Sequence, residues 1–226
     1  MAPGRESIGA AARPGYLLSL PARAPDLALS AACLVGLILA LDLLWSLIAG
    51  STGTIVYASV DEPAHFATCF LALLTLVALR SSRLPLGFLT AALLASVAID
   101  LDHLPGYLGS HLLTDGTPRP YAHSLLAASI LLAIGFAVWR RETRLIFFGL
   151  AFGVAAHLLR DLSTGPGVPL FWPFSAGTIF VPYGVYASVL LLALLVTATA
   201  GHRRPRLARG GLSERPVPGA GPPAGS

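Results

Sequence analysis

The 226-residue sequence contains no lysine, a single methionine, two cysteines and only 12% charged residues. A soluble domain carries about 25% charged residues, so an ordinary cytosolic globule of this length is excluded. The 55% hydrophobic content excludes a disordered chain as well, which needs low hydropathy and high charge. Cys33 and Cys69 both lie inside apolar runs. Neither a disulfide framework nor a cysteine-based zinc site is supported, and both read as buried apolar side chains. A cleavable signal peptide is also missing: a mixed N-terminal stretch precedes the first apolar run, and that run exceeds a signal peptide's apolar segment. It is expected to stay as a membrane helix.

The sequence is rich in long apolar runs. Six approach the roughly 20 residues needed to cross a bilayer: Leu27–Ala49, Ala64–Leu79, Leu84–Ile99, Ala122–Trp139, Leu145–Leu159 and Ala176–Ala200. Three are short and are expected to continue by about a turn into the polar residues at their ends. The expected fold is therefore all-α, a polytopic membrane helix bundle of about six spans. A segment 1–26 precedes the membrane domain 27–200, and a basic, Pro/Gly-rich tail 201–226 is expected to be disordered.

All 15 basic residues are arginine, and 13 of them fall before span one, between spans two and three, between four and five, or after span six. The positive-inside rule makes that side the cytoplasm, with both termini inside. The opposite side receives Asp61, Glu62, Asp100, Asp102, Asp115 and Asp161 against only Arg119 and Arg160. The net charge of +4 is thus a product of topology, and no nucleic-acid partner is expected. The partner is membrane lipid, and the location is the inner or plasma membrane.

Histidines carry the chemical signal. His65, His103, His111, His123 and His157 fall at the outer ends of spans two to five or in the loop between three and four. Asp61 and His65 are four apart, with Asp61 expected as an N-cap and Pro63 in the first helical turn. Asp100-Leu-Asp102-His103 closes span three, His123-Ser124 opens span four, and His157-Leu-Leu-Arg160-Asp161 closes span five. Residues three or four apart share a helix face, so each pair can aim at one point. Imidazole with carboxylate suits a divalent cation. The number of such groups allows two ions, able to activate a water and clamp a displacement. Against this, Asp and His also cap helices and decorate interfacial loops, and His111 and Asp115 are expected to be simply solvated. Arg119 and Arg160 suit bidentate phosphate binding or salt bridges to Asp115 or Asp161. Asp42, inside span one, reads either as support for the site or as a buried interhelical hydrogen-bonding group. The segment Ser163–Ser175 has too many Gly and Pro for a helix and reads as a lid, a lipid-facing rim or an interfacial anchor.

These residues resemble the YdjM-like family of inner-membrane proteins, regarded as metal-dependent hydrolases. The resemblance covers roughly residues 60 to 175. It rests on His65, Asp100-Leu-Asp102-His103, Arg119-Pro-Tyr-Ala122-His123-Ser124 and His157-Leu-Leu-Arg-Asp161, with Thr164, Gly165 and Pro173 following. Ala122 stands where the family usually has Thr, and Pro118 where a His often precedes the Arg. The resemblance implies a membrane-embedded hydrolase, phospholipase-like, cleaving a phosphoester of a lipid or lipid-linked substrate. Its metal ligands would be His65, Asp102, His123, His157 and Asp161, holding one or two divalent ions, zinc or manganese. Asp100 and His103 would serve as further ligands or behind them, and Arg119 and Arg160 would hold the phosphate. The same cluster read as an ion entry site gives an alternative: a metal-handling or transport protein. A scaffold whose His and Asp groups only cap helices is a third reading.

Overall fold

The structure is a computed structural model and describes residues 24–49, 54–80 and 84–210. Among them the architecture is all-helical: α1 (Ala24–Ile48), α2 (Thr54–Arg80), α3 (Leu86–Ala98), a 3₁₀ turn at Ile99–His103, α4 (Leu104–Tyr107), α5 (Leu125–Ala137), α6 (Arg141–Asp161) and α7 (Tyr183–Gly210). One isolated antiparallel bridge joins Val168 to Ile179. Five stretches are long and apolar enough to cross a membrane: Asp26–Ile48, Val56–Arg80, Leu86–Tyr107, Arg141–Asp161 and Tyr183–Ala200. The expected fourth span is shorter than its apolar run. Ser124 and Val138, at its two ends, have extended backbones, which leaves a 13-residue helix about 20 Å long.

The described chain forms two compact units. One holds α1, α2, α7 and residues 156–168; the other holds α3, α5, residues 141–155 of α6, and 169–178.

In the first unit, Leu27, Ala31, Val35 and Ile38 of α1 meet Ala67, Leu71 and Leu74 of α2 and Tyr186 and Leu190 of α7. Steps of three and four residues keep each set on one helix face. The other face of α1 is equally apolar, with Leu29, Leu43 and Leu47 exposed, as a lipid solvent requires. Burial against lipid tails gains little between such helices, so close packing and polar links must hold them. Thr68 Oγ1 meets Tyr186 OH at 2.8 Å, and Thr75 meets Thr197 at 3.0 Å. Cys69 is buried as expected, whereas Cys33 lies on an exposed face.

In the second unit α3 and α6 approach closely through Gly149 and Gly153, a Gly-x-x-x-Gly pair. A Cβ on Gly153 would press into the Ala92 carbonyl and Ala95, and one on Gly149 into the Phe88 carbonyl. Gly153→Ala is therefore expected to destabilise, although alanine in a helix interior is ordinarily favoured over glycine by about 1 kcal/mol. Overpacking against backbone should cost about 1–3 kcal/mol, read as unfolding in detergent-to-dodecyl-sulfate titration. Stabilisation would contradict the close approach.

Two boundaries differ from the sequence expectation. α2 begins at Thr54, so Asp61 is no N-cap, and Pro63 lies inside the helix. His65 stands about 17 Å along it. Pro63 gives no N–H to the turn before it, a loss that membrane helices tolerate where neighbours and Ser or Thr side chains compensate. The carbonyl deprived of that N–H is Ser59's, and the Ser59 Oγ bond to the Val56 carbonyl is separate from it. At the other end, α7 runs on to Gly210, so the first part of the expected disordered tail is helical. Residues 1–23, most of the expected N-terminal segment, and 211–226, the rest of the tail, lie outside the described residues.

Candidate functional site

The sequence expectation brings the His and Asp groups to one depth of the membrane. Each compact unit carries a set of them.

In the α3/α5/α6 unit the first group is built on the 3₁₀ turn Ile99–His103. Three residues per turn place Asp100 and His103 over one another, with His103 Nε2 3.6 Å from Asp100 Oδ1. His123 arrives from the turn before α5, where its N–H donates to the Pro120 carbonyl. Its Nε2 lies 2.9 Å from Asp100 Oδ1 and its Nδ1 3.3 Å from Asp102 Oδ2. The His103 and His123 rings stand edge to face at 5.1 Å. His123 is fully buried, while Asp100, Asp102 and His103 are half-buried. One ligand atom from each of the four lies within 4.8 Å of the rest.

This donor set fits a cation. A neutral imidazole has one N–H and one lone pair, yet His123 faces a carboxylate at each nitrogen. One of those carboxylates therefore meets a lone pair unless positive charge intervenes. Metal-bound histidines commonly pair one nitrogen with the ion and the other with a carboxylate. Arg119 is half-buried within electrostatic range of His103. His111 and Asp115 are exposed in the loop, as simple solvation requires.

In the α1/α2/α7 unit the second group joins His65 of α2 to His157 and Asp161 of α6. Asp161 spans the Nε2 edges of the two rings, 3.4 Å from His65 Nε2 and 3.0 Å from His157 Nε2. The imidazoles stack at 3.7 Å and 12°. All three residues are fully buried, and each offers a ligand atom within 4.8 Å of the others.

Arg160, one helical step before Asp161, is also fully buried. Its Nε donates to Asp42 Oδ1 at 2.9 Å, with Nη2 at 2.9 Å from the same oxygen, and its Nη1 donates to Asp61. Nη1 also lies 2.9 Å from His65 Nε2. Tyr183 OH donates to Asp42 Oδ2 at 2.9 Å.

Asp42 thus resolves as an interhelical partner of Arg160. The expected salt bridge of Arg160 runs to Asp42 and Asp61 in place of Asp161, and the guanidinium expected to hold phosphate is occupied by carboxylates. Tyr183 is a member that sequence reasoning missed; an aromatic at the start of a span carries no signal of a partner 141 residues away. His65, expected at the outer end of span two, lies inside a helix together with Asp61, because α2 begins at Thr54.

The Gly/Pro-rich segment is non-helical, as read. Gly165 and Gly167 take positive φ of 74° and 83°, a region that glycine enters without strain. Trp172 stacks on Tyr121 at 4.3 Å, while Phe171 and Phe174 are exposed.

A family model described as YdjM inner membrane protein matches residues 60–213, the stretch that carries every member of both groups except Asp42. The chain belongs to the YdjM family. Two curated relatives are similar to it, inner membrane protein YdjM of Escherichia coli (strain K12) and of Shigella flexneri. Each is 35% identical over 94 residues, covering 37% of this chain and 47% of the relative. The chain spans about half the length of the curated relatives it matches. No solved structure matches it. The YdjM match and the five membrane-capable helices make this a multi-pass inner membrane protein.

Proposed function

We propose that this YdjM-family protein is a membrane-embedded, metal-dependent hydrolase that cleaves a phosphoester of a lipid or lipid-linked molecule on the extracytoplasmic side. The observation that carries the proposal is buried His123, set between two carboxylates beside half-exposed Asp100, Asp102 and His103. Burial fixes the imidazole, and the partial exposure of its partners lets water and substrate approach. The ligands are Asp102 and His123 in this group and His65, His157 and Asp161 in the other, with Asp100 and His103 orienting His123 or ligating beside it. Zinc or manganese, when bound, supplies an activated water and polarises a phosphoryl oxygen. Arg119, beside His103, is the arginine that holds the phosphate. Arg160 acts on His65 and the carboxylates as a positioning residue.

Elemental analysis of detergent-purified protein tests this. The expected result is about one ion per intact group, with His123→Ala losing the ion of its own group and the ability to hydrolyse lipid phosphoesters. Wild-type protein that takes up no zinc or manganese on incubation would sink the proposal and favour the capped-helix scaffold.

The second reading, metal transport, draws on the ionisable groups Asp42, Asp61 and His65 inside membrane helices, where such residues often mark ion pathways. It predicts metal uptake into proteoliposomes. The hydrolase reading predicts none.

A further inference from the structure

A cavity of about 610 Å³ opens in the α1/α2/α7 unit, walled by Leu39, Leu43, Trp45 and Phe180 and bounded by Asp42 and Tyr183. Its size is that of a small-molecule site, and such sites are mostly apolar with a few placed polar groups. Leu39 and Leu43 belong to the exposed apolar face of α1, so the medium that reaches this cavity is lipid tail. The polar groups bounding it are unlike those of a phosphate site. Asp42 and Tyr183 bring a carboxylate and a hydroxyl, Ser163 and Thr164 add hydroxyls, and among the described residues no arginine lines the cavity. A carboxylate has about four acceptor positions. Two donors, Arg160 Nε and Tyr183 OH, bond Asp42, and the Tyr183 oxygen keeps its own acceptor capacity. This end receives a hydrogen-bond donor and repels an anion.

We infer that the cavity binds a long-chain alcohol, its chain along Leu39, Leu43, Trp45 and Phe180 and its hydroxyl donating to Asp42 or Tyr183. Hydrolysis of a lipid phosphoester at the phosphorus–oxygen bond leaves a phosphate and an alcohol of this kind. The inference rests on the hydrolase reading only in naming the alcohol as product; the site itself stands on the cavity.

The test uses the full chain in detergent with Trp139→Phe and Trp172→Phe, leaving Trp45 as the sole tryptophan. A long-chain alcohol brominated in mid-chain is titrated in, and quenching of Trp45 is followed. Saturable quenching is expected, weakened about three- to tenfold by Tyr183→Phe, which deletes one hydrogen-bonding group. It is expected to vanish in Leu39→Phe/Ser46→Phe, two substitutions at lining positions that fill the cavity. Quenching that rises without saturation, or that is equal in the filled variant, would overturn the inference. Tighter binding of the matching bromo-acid or phosphomonoester would overturn the assignment of the head group. No metal or turnover enters this measurement. A protein that binds the alcohol but no metal ends the hydrolase reading alone, and one that binds metal but no alcohol ends this inference alone.

Discussion

Arg160→Met is expected to destabilise the protein by about 3–5 kcal/mol, the cost of removing one partner from a buried ion pair. The size follows from what remains. Asp42 is 5% exposed and would keep only Tyr183 as a donor, and Asp61 would lose its guanidinium contact in the middle of a membrane helix. A like-sized apolar side chain fills the space but compensates neither charge. Arg160→Lys is expected to recover only part of the loss. The guanidinium reaches Asp42 and Asp61 at once through a planar fork, whereas an ammonium is a point donor on a flexible stem. Pairing Arg160→Met with Asp42→Asn should return a measurable share of the stability, because the amide is uncharged and still accepts from Tyr183. Dodecyl-sulfate unfolding of the four proteins gives the comparison. A loss below about 1 kcal/mol, typical of a solvent-exposed ion pair, would mean that Arg160 is not the centre of this network.

Stripping divalent metal is expected to lower the unfolding temperature of the wild type on the order of 10 °C. The estimate takes an ion at 1,000 times its dissociation constant, worth about 4 kcal/mol, with about 2–4 °C per kcal/mol for a chain of this size. The second group gives the reason to expect a large effect. Asp42 and Asp61 pair with Arg160, Asp161 sits buried beside His65 and His157, and charge held away from water is expensive. A divalent ion between His65, His157 and Asp161 would add positive charge beside Asp161 and join the end of α6 to α2. Asp161→Asn, which removes one negative charge and one ligand, is expected to melt at nearly the same temperature with and without metal from this group. Under the proposed function the wild type responds and the variant responds much less. Identical wild-type melting before and after chelation, with zinc or manganese added back, would rule out a structural ion here.

The membrane helices were legible because apolar runs report directly on a lipid solvent. The start of α2 was not. Asp61, Glu62 and Pro63 interrupt the hydropathy and read as a loop, while the fold keeps them helical with Arg160, 99 residues away, taking the Asp61 charge. Hydropathy cannot register a counter-ion supplied by another helix. The candidate residues were recognisable by type and spacing, since Asp100 with His103 and His157 with Asp161 are local pairs. Which carboxylate meets which imidazole was not, because the meeting of His123 with Asp100 or of His65 with Asp161 is a tertiary fact. Gly149 and Gly153 passed unnoticed among many other glycines, for only the approach of α3 distinguishes them.

The 13 residues of α5 bear on the bilayer itself. Its outward side chains, Ile130, Leu132 and Phe136 among them, are exposed to a hydrocarbon layer about 30 Å deep, some 10 Å more than the helix covers. Lipids meet such a mismatch by thinning locally, at fractions of a kcal/mol per ångström. Beside α5 the headgroup level therefore dips toward the helix end, where His123 stands. Under the proposed function, a lipid phosphate would meet His123 there without being lifted as far out of the leaflet.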